Sequence, residues 1–351
     1  YPNPLILDNV ELEDLQGSPM LQAARLSVKF EWIPLLRDGR ISIHTAQVFG
    51  LHAHLNRPHH EEPTNLQFLI DAFASEDSTN DSHIDLRINS LLVRRCHLRY
   101  DVLSEAETPG QFNPHHLSAD NINATLSLKA FSHDSINAQV KRLDLTEQSG
   151  FRLEGMQMHL LANIHSIQLR EFDMRLPESR IRFDSFHLTF PHEEGASDTT
   201  TARHPQFNID GKMGESYLTP ADLTPFVPAL RHFHDAIHLS ASVKGDLQGL
   251  EIPTLKVYTQ ERWLDMEIDQ AALHFPTAPT EQPRVNASIT RLQLTPEGIP
   301  ALWHNLKGTA EELPEWLQNL HHLHFNGHIG GTLNDLSTQG ELATGIDSIV
   351  A

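Results

Sequence analysis

The sequence predicts a mainly β protein, a long antiparallel sheet with one continuous apolar surface and a few short helices. Two observations carry this. Strand-length segments alternate strictly between apolar and polar residues, and such segments recur every ten to fifteen residues. Ile122, Ala124, Leu126, Leu128 and Ala130 interleave with Asn123, Thr125, Ser127 and Lys129. Ile237, Leu239, Ala241 and Val243 do the same with His238, Ser240, Ser242 and Lys244. Leu264, Met266 and Ile268 alternate with acids, and Val285, Ala287 and Ile289 with Asn286, Ser288 and Thr290. A strand has a side-chain period of two, so each segment builds one apolar and one wet face.

Along the chain, strands are expected near 24–32, 40–48 and 51–56, the last two joined by a tight turn at Phe49-Gly50. Pro63 ahead of Leu66, Leu69, Ile70 and Phe73 predicts a short amphipathic helix with Asn65 as its cap. From Ser82 to about Phe190 the pattern is nearly unbroken strand, punctuated at Thr108-Pro109-Gly110, Phe131–Ser135 and Gln148-Ser149-Gly150. A helix is expected over 219–233, with Leu223, Phe226, Val227 and Leu230 on one face, and shorter ones at 296–306 and 314–320. The whole reads as roughly fifteen to twenty strands with three or four short helices. It divides into segments 1–80, 81–204 and 205–351.

Composition excludes several function classes. With 26 basic and 46 acidic residues the formal net charge is −20, which repels nucleic acid and anionic membrane surfaces alike. Cys96 is the single cysteine, so no internal disulfide forms; its alternation with Leu98 and Tyr100 makes it a small core residue. No apolar run approaches the ~20 residues needed to span a bilayer, and no signal-peptide pattern is visible. Tyr1-Pro2-Asn3-Pro4 reads as a linker, so the chain is expected to be part of a longer protein.

No residue pattern asks for catalysis, metal or a cofactor. The 24 histidines include His321, His322, His324 and His328, of which the last three would share a strand face with Asn326. They lack metal-site spacing and read as a solvated face, as do His54, His159, His187 and His238. G-x-S-x-G, H-E-x-x-H and phosphate-cradling loops are absent. Gly327-His328-Ile329-Gly330-Gly331 has no helix after it and reads as a turn or bulge. Glu61-Glu62 and Glu193-Glu194 read as solvated loop acids. The expected function is therefore non-enzymatic.

Several phrases resemble the AsmA-like family, in its TamB (translocation and assembly module) branch of the Bacteroidota type. They are Arg25–Val28 through Leu35–Ile43 to Val48–Leu51; Asn65–Ile70 followed by Ile88–Asp101; Leu143–Phe151; Leu176–Ile181; Ser216–Leu223; and Phe325–Gly331. Each is a common β phrase; their collinear order over nearly the whole chain carries the resemblance. It implies an elongated, curled, taco-like groove in the periplasm, with the parent protein held in the inner membrane by an N-terminal helix outside this chain. It implies conduction of phospholipid between the inner and outer membranes. The alternative is assembly of outer-membrane β-barrels with an Omp85-type partner, met through a C-terminal region also outside the chain.

On this reading the groove lining comprises Ile84, Leu86, Ile88, Leu98, Tyr100, Leu126, Leu128, Phe183, Leu239, Val243, Met266 and Ile268, which would meet acyl chains. Plain core packing in a closed sandwich is the competing role for each. A carbohydrate-binding β protein is a weaker third reading, since aromatic residues are only 7% and four are Trp.

Overall fold

In a computed structural model, residues 4–31, 42–68, 87–131, 135–190, 207–246, 248–275, 282–308, 312–318, 320–332, 335–345 and 348–350 are described. The predicted fold class is the one found: mainly β, 67% strand and 9% helix, as open, curled antiparallel sheet. The chain divides into two units, Tyr1–Asn163 with Met174–Pro177, and Ile164–Asp173 with Glu178–Ala351.

The first unit is a run of sequential neighbours: β1 (Leu5–Glu13), β2 (Pro19–Phe30), β3 (Ser42–Arg57), β4 (Arg87–Val102), β5 (His116–Phe131), β6 (Ser135–Glu147) and β7 (Arg152–Asn163). One pair departs from the expected pattern, because β3 and β4 run parallel. The connection between them is long, which a parallel return requires and a hairpin does not. β1 itself falls in a stretch where no strand is expected from the sequence. The turn into β2 is closed by Asp14, whose Oδ1 accepts from the backbone N–H of Gln16 at 2.9 Å and Ser18 at 2.8 Å.

β3 runs straight through the predicted turn at Phe49-Gly50. Gly50 lies inside the strand at φ +61°, and the pairing keeps register across it with both neighbouring strands. Asn9 and Gly50 lie at the level of Ala24 on either side of it, between the pairs Asp8–Arg25–Phe49 and Val10–Ala23–Leu51. Arg95 on β4 and Asn121 on β5 also carry positive φ where their strands slip register. Apolar positions that would be two apart become three apart at this line: Leu7 to Val10, Ala23 to Leu26, Val48 to Leu51, Val93 to Cys96, Ala119 to Ile122. Because neighbouring strands slip together, the apolar side chains stay on one face.

The second unit holds β8 (Ser166–Arg175), except its last two residues, and β9 (Arg180–Thr189). After these come β10 (Asn208–Leu218), β11 (Ile237–Asp246), β12 (Gly249–Thr259), β13 (Leu264–His274) and β14 (Arg284–Leu294). Last are β15 (Leu323–Thr332), β16 (Asp335–Thr344) and the stub β17 (Ser348–Val350). From β9 to β17 every consecutive pair is antiparallel. The glycine phrase Gly327–Gly331 is not a turn; it lies within β15. Gly327 faces Gly340 so closely that a Cβ on it would stand 2.3 Å from the Gln339 carbonyl oxygen.

The helix expected over 219–233 is instead two 3-10 turns, Pro220–Leu223 and Pro228–His232. Pro220, Pro225 and Pro228 each remove a backbone donor, so a continuous α-helix has no ladder to build. Phe226 and Val227, expected on a buried face, are 43% and 46% exposed. The first turn has a separate task. Asp222 accepts from the Glu178 backbone N–H at 3.0 Å and the Ser179 hydroxyl at 2.6 Å, pinning the β8–β9 turn.

One α-helix of ordinary length forms among the described residues, α1 (Gly298–Lys307), near the expected 296–306; the segment expected at 314–320 is a single turn, Glu315–Gln318. The helix expected from Leu66 lies outside the described residues beyond Phe68. α1 packs Ile299 on Trp263 and Leu294, ringed by Leu264, Leu302, Leu317 and Leu323, as a plug on the ends of β13–β15. Trp263→Ala is expected to lower stability by about 3–5 kcal/mol through loss of this cluster, read by chemical denaturation. Gly50→Val forces a β-branched residue to positive φ against Ala24 Cβ at 3.2 Å, and is expected to cost about 1–3 kcal/mol by the same measurement.

Candidate functional site: a laterally continuous apolar face

Residues paired across neighbouring strands point to the same side of a sheet, so the register determines which side chains share a face. In the first unit one row reads Leu7, Leu26, Val48, Val93, Ala124, Leu143, Met156 across β1 to β7. The next reads Leu5, Val28, Ala46, Leu91, Leu126, Val140, Met158. A third runs Phe30, Ile43, Ile88, Leu128, Ala138, Leu160. At the other end Leu55, Tyr100 and Leu117 line up, with Ala53, Leu98 and Ala119 beside them. No charged side chain is a member of the three long rows; at the other end Arg57 lies over the Tyr100 ring and donates to its hydroxyl at 2.6 Å, and Glu147 pairs with Ala119.

The second unit repeats the arrangement. Leu239, Val257, Met266, Leu292, Phe325 and Leu342 form one row from β11 to β16. Phe183, Met213, Ala241, Leu255, Ile268 and Ile289 form the next, from β9 to β14. Val243 lies against Gly211 and Phe186, and Phe183 meets Phe172 and Phe186 edge-on at 5.5 and 6.3 Å.

The predicted lining residues therefore fall into two sets. Ile88, Leu98, Tyr100, Leu126 and Leu128 share the apolar face of the first unit; Phe183, Leu239, Val243, Met266 and Ile268 share that of the second. Ile84 and Leu86 lie outside the described residues. All ten are half-buried except Leu98, which is 38% exposed. Half of the buried apolar residues on the strands are small, namely Ala23, Ala46, Ala53, Cys96, Ala124 and Ala287. A sandwich interior would bury its Leu, Ile and Phe side chains fully; here most remain accessible along the row, with Ile289 and Phe325 the buried exceptions.

Row members such as Leu26, Val48, Val93, Val140, Met158, Val257, Leu292 and Phe325 were not on the sequence-derived set. Alternation within a segment is visible in the sequence, but the slip at each bulge hides which segments stay in phase.

The opposite faces are polar and ion-paired. On β12–β14 Lys256 meets Glu267 at 2.7 Å, and Arg291 reaches both Glu267 (3.3 Å) and Asp265 (3.1 Å). Hydrogen bonding from Lys256 holds the Glu267 carboxyl below its ordinary range. His238 stacks on Tyr258 at 4.9 Å, a structural contact for one of the solvated-face histidines.

At the ends of β3 to β5 a polar knot organises the loops. Asp101, 4% exposed, accepts from Arg99 Nε at 2.7 Å, His54 Nε2 at 2.9 Å and His116 Nδ1 at 2.9 Å. His116 Nε2 faces the Glu105 carbonyl oxygen at 2.9 Å. Both His116 nitrogens thus meet acceptors and both are satisfied only as N–H; the Asp101 contact raises the His116 pKa accordingly. Burial pushes the Asp101 carboxyl upward, but hydrogen bonds from Arg99, His116 and His54 outweigh it and bring it to about 2.

An Asp101 that titrates lower in the folded chain than unfolded stabilises the fold while ionised. That contribution is complete above the unfolded value near pH 4 and is lost as pH falls toward 2, about 2 kcal/mol in all. Denaturation curves across that window are expected to show this loss in the native chain and a flatter profile in Asp101→Asn, which starts from lower stability at pH 7. No protein-family model, no curated protein and no solved structure matches this chain.

Proposed function

We propose that the apolar faces are seats for lipid acyl chains, and that the chain is a segment of a lipid-conducting β-groove. The observation that carries this is the unbroken lateral continuity of mostly half-buried Leu, Ile, Val, Met and Phe side chains over six or seven successive strands, in rows that contain no charged side chain. Such a surface offers no hydrogen-bonding groups, so it makes no directional demand on what it covers. Each methylene sheltered on it contributes up to ~0.8 kcal/mol, and because the rows repeat at the strand spacing, neighbouring positions are nearly equivalent. A chain held this way slides. A catalytic centre is not needed.

The AsmA-like resemblance is consistent with this reading and adds the setting: a periplasmic bridge whose membrane anchor and outer-membrane contact, an Omp85-type barrel, lie outside the chain. No helix among the described residues is long and apolar enough to cross a membrane.

The test exploits the two-sidedness. Leu126 lies mid-row between Leu91 and Val140, while adjacent Thr125 points to the polar face between Leu92 and Arg142. Native mass spectrometry of the purified chain is expected to show copurified phospholipid in the native sequence and in Thr125→Asp, and its loss in a folded Leu126→Asp. Met266→Asp in the second unit is expected to act likewise. A folded native chain free of lipid, and unable to take up a fluorescent phospholipid from vesicles, would overturn the conduit and favour the assembly role.

A further inference from the structure

We propose that His60, Glu105 and His115 form a binding site for a divalent transition cation of the zinc class. These residues come from separate places in the sequence: His60 from the turn after β3, Glu105 from the turn after β4, His115 from the residue preceding β5. One ligand atom from each lies within 4.8 Å of the other two. His60 Nε2 is 3.6 Å from Glu105 Oε1, and the His60 and His115 rings meet edge-on with centroids 4.4 Å apart. Two imidazoles and one carboxylate are the ligand set of open zinc sites, in which a fourth position remains for water or another ligand. Tetrahedral zinc at ~2.0–2.1 Å would bring the donor atoms to about 3.4 Å from one another. The contraction from the present spacing is small, and the side chains are accessible enough to make it: those of His60 and Glu105 are 47% and 41% exposed.

The backbone under these side chains is already fixed. Leu103 N–H donates to the Arg57 carbonyl at 2.9 Å and Ser104 N–H to that of Pro58 at 3.0 Å, extending the β3–β4 pairing into the two turns. Arg57 Nη1 donates to the His60 carbonyl at 2.7 Å, His116 Nε2 to that of Glu105 at 2.9 Å, and Val102 N–H to that of His115 at 2.8 Å. Each ligand residue thus has its own carbonyl tied down, leaving its side chain as the variable part. Holding ligands from behind in this way is what outer hydrogen bonds do at metal sites.

A second trio nearby, Asp101, Glu107 and His116, has comparable spacing but a different character. Its Asp101 oxygens and both His116 nitrogens are engaged in the knot described above, and Arg99 stands among them as a built-in cation. The His60 trio has no comparable occupant: among the described residues its side chains meet only one another. A cation there would clip the β3 and β4 turns and the start of β5 together, beyond any lipid on the apolar face.

The experiment is a zinc titration of the purified chain against a chromophoric chelator. One tight equivalent is expected in the native sequence. His60→Gln and His115→Gln are each expected to weaken it by at least about 10–100-fold, the loss usual for removing even an outer partner. Glu105→Gln should weaken it too, whereas the double change His324→Gln with His328→Gln on β15 should leave it intact. Cobalt substitution supplies a second readout, with a tetrahedral absorption band that disappears in the same three variants. Far-UV circular dichroism confirms that each variant folds. A tight equivalent persisting in His60→Gln and His115→Gln, or no tight equivalent in the native chain, would overturn the site.

Discussion

Every side chain on a strand has a fixed side, and in a sheet whose strands are long a single uncompensated slip would send half of a strand's apolar residues to the wrong face. This chain has slips in most strands of its first unit. What keeps the face intact is that hydrogen-bonded neighbours slip at nearly the same level, with Asn9, Gly50, Arg95 and Asn121 taking the left-handed conformations the extra residue needs. The bulge where Arg95 and Asn121 lie also increases local twist and bends its strands. The apolar rows, their accessibility and the segregation of charge all follow from that shared slip.

Segregation has an electrostatic counterpart. A chain of net charge −20 carries much internal repulsion, and the polar faces relieve it locally by cross-strand pairing of Lys256 and Arg291 with Glu267 and Asp265, to which Arg262 adds an i,i+3 pair with Asp265. Exposed pairs of this sort contribute little stability each. Their consequence is positional, since charges satisfied on one face have no reason to invade the other. The Asp101 knot is different in kind: it is buried, it receives three hydrogen bonds, and through His116 it ties down the Glu105 carbonyl next to the start of β5.

The plug formed by α1 on Trp263 and Leu294 completes the picture of where fully buried apolar packing occurs. It sits at strand ends, not between sheet layers. Along the strands, burial is shared between alanines with Cys96 and a few large residues such as Met20, Val102, Ile289 and Phe325, while most other large apolar side chains of the rows stay half accessible. Stability spread over a hydrogen-bonded ladder in this way leaves the apolar rows free to shelter something else.

The sequence by itself determined the fold class, most strand positions and the two-faced character of each strand, because alternation with period two is local and survives in any register. It also identified members of the apolar face, such as Leu126, Met266 and Ile268, and read Cys96 as a core residue. It did not reveal that Phe49-Gly50 continues a strand, since a glycine at positive φ within a strand and a glycine in a turn look alike until a neighbour is present. Nor did it reveal that 219–233 breaks into 3-10 turns around its prolines, or that β3 and β4 run parallel. Which residues meet across strands, and so which rows are continuous, was decided only by register. The juxtaposition of His60 with Glu105 and His115, and of Asp101 with His54, was likewise left to tertiary structure, because parallel pairing of β3 with β4 brings together turns more than forty residues apart.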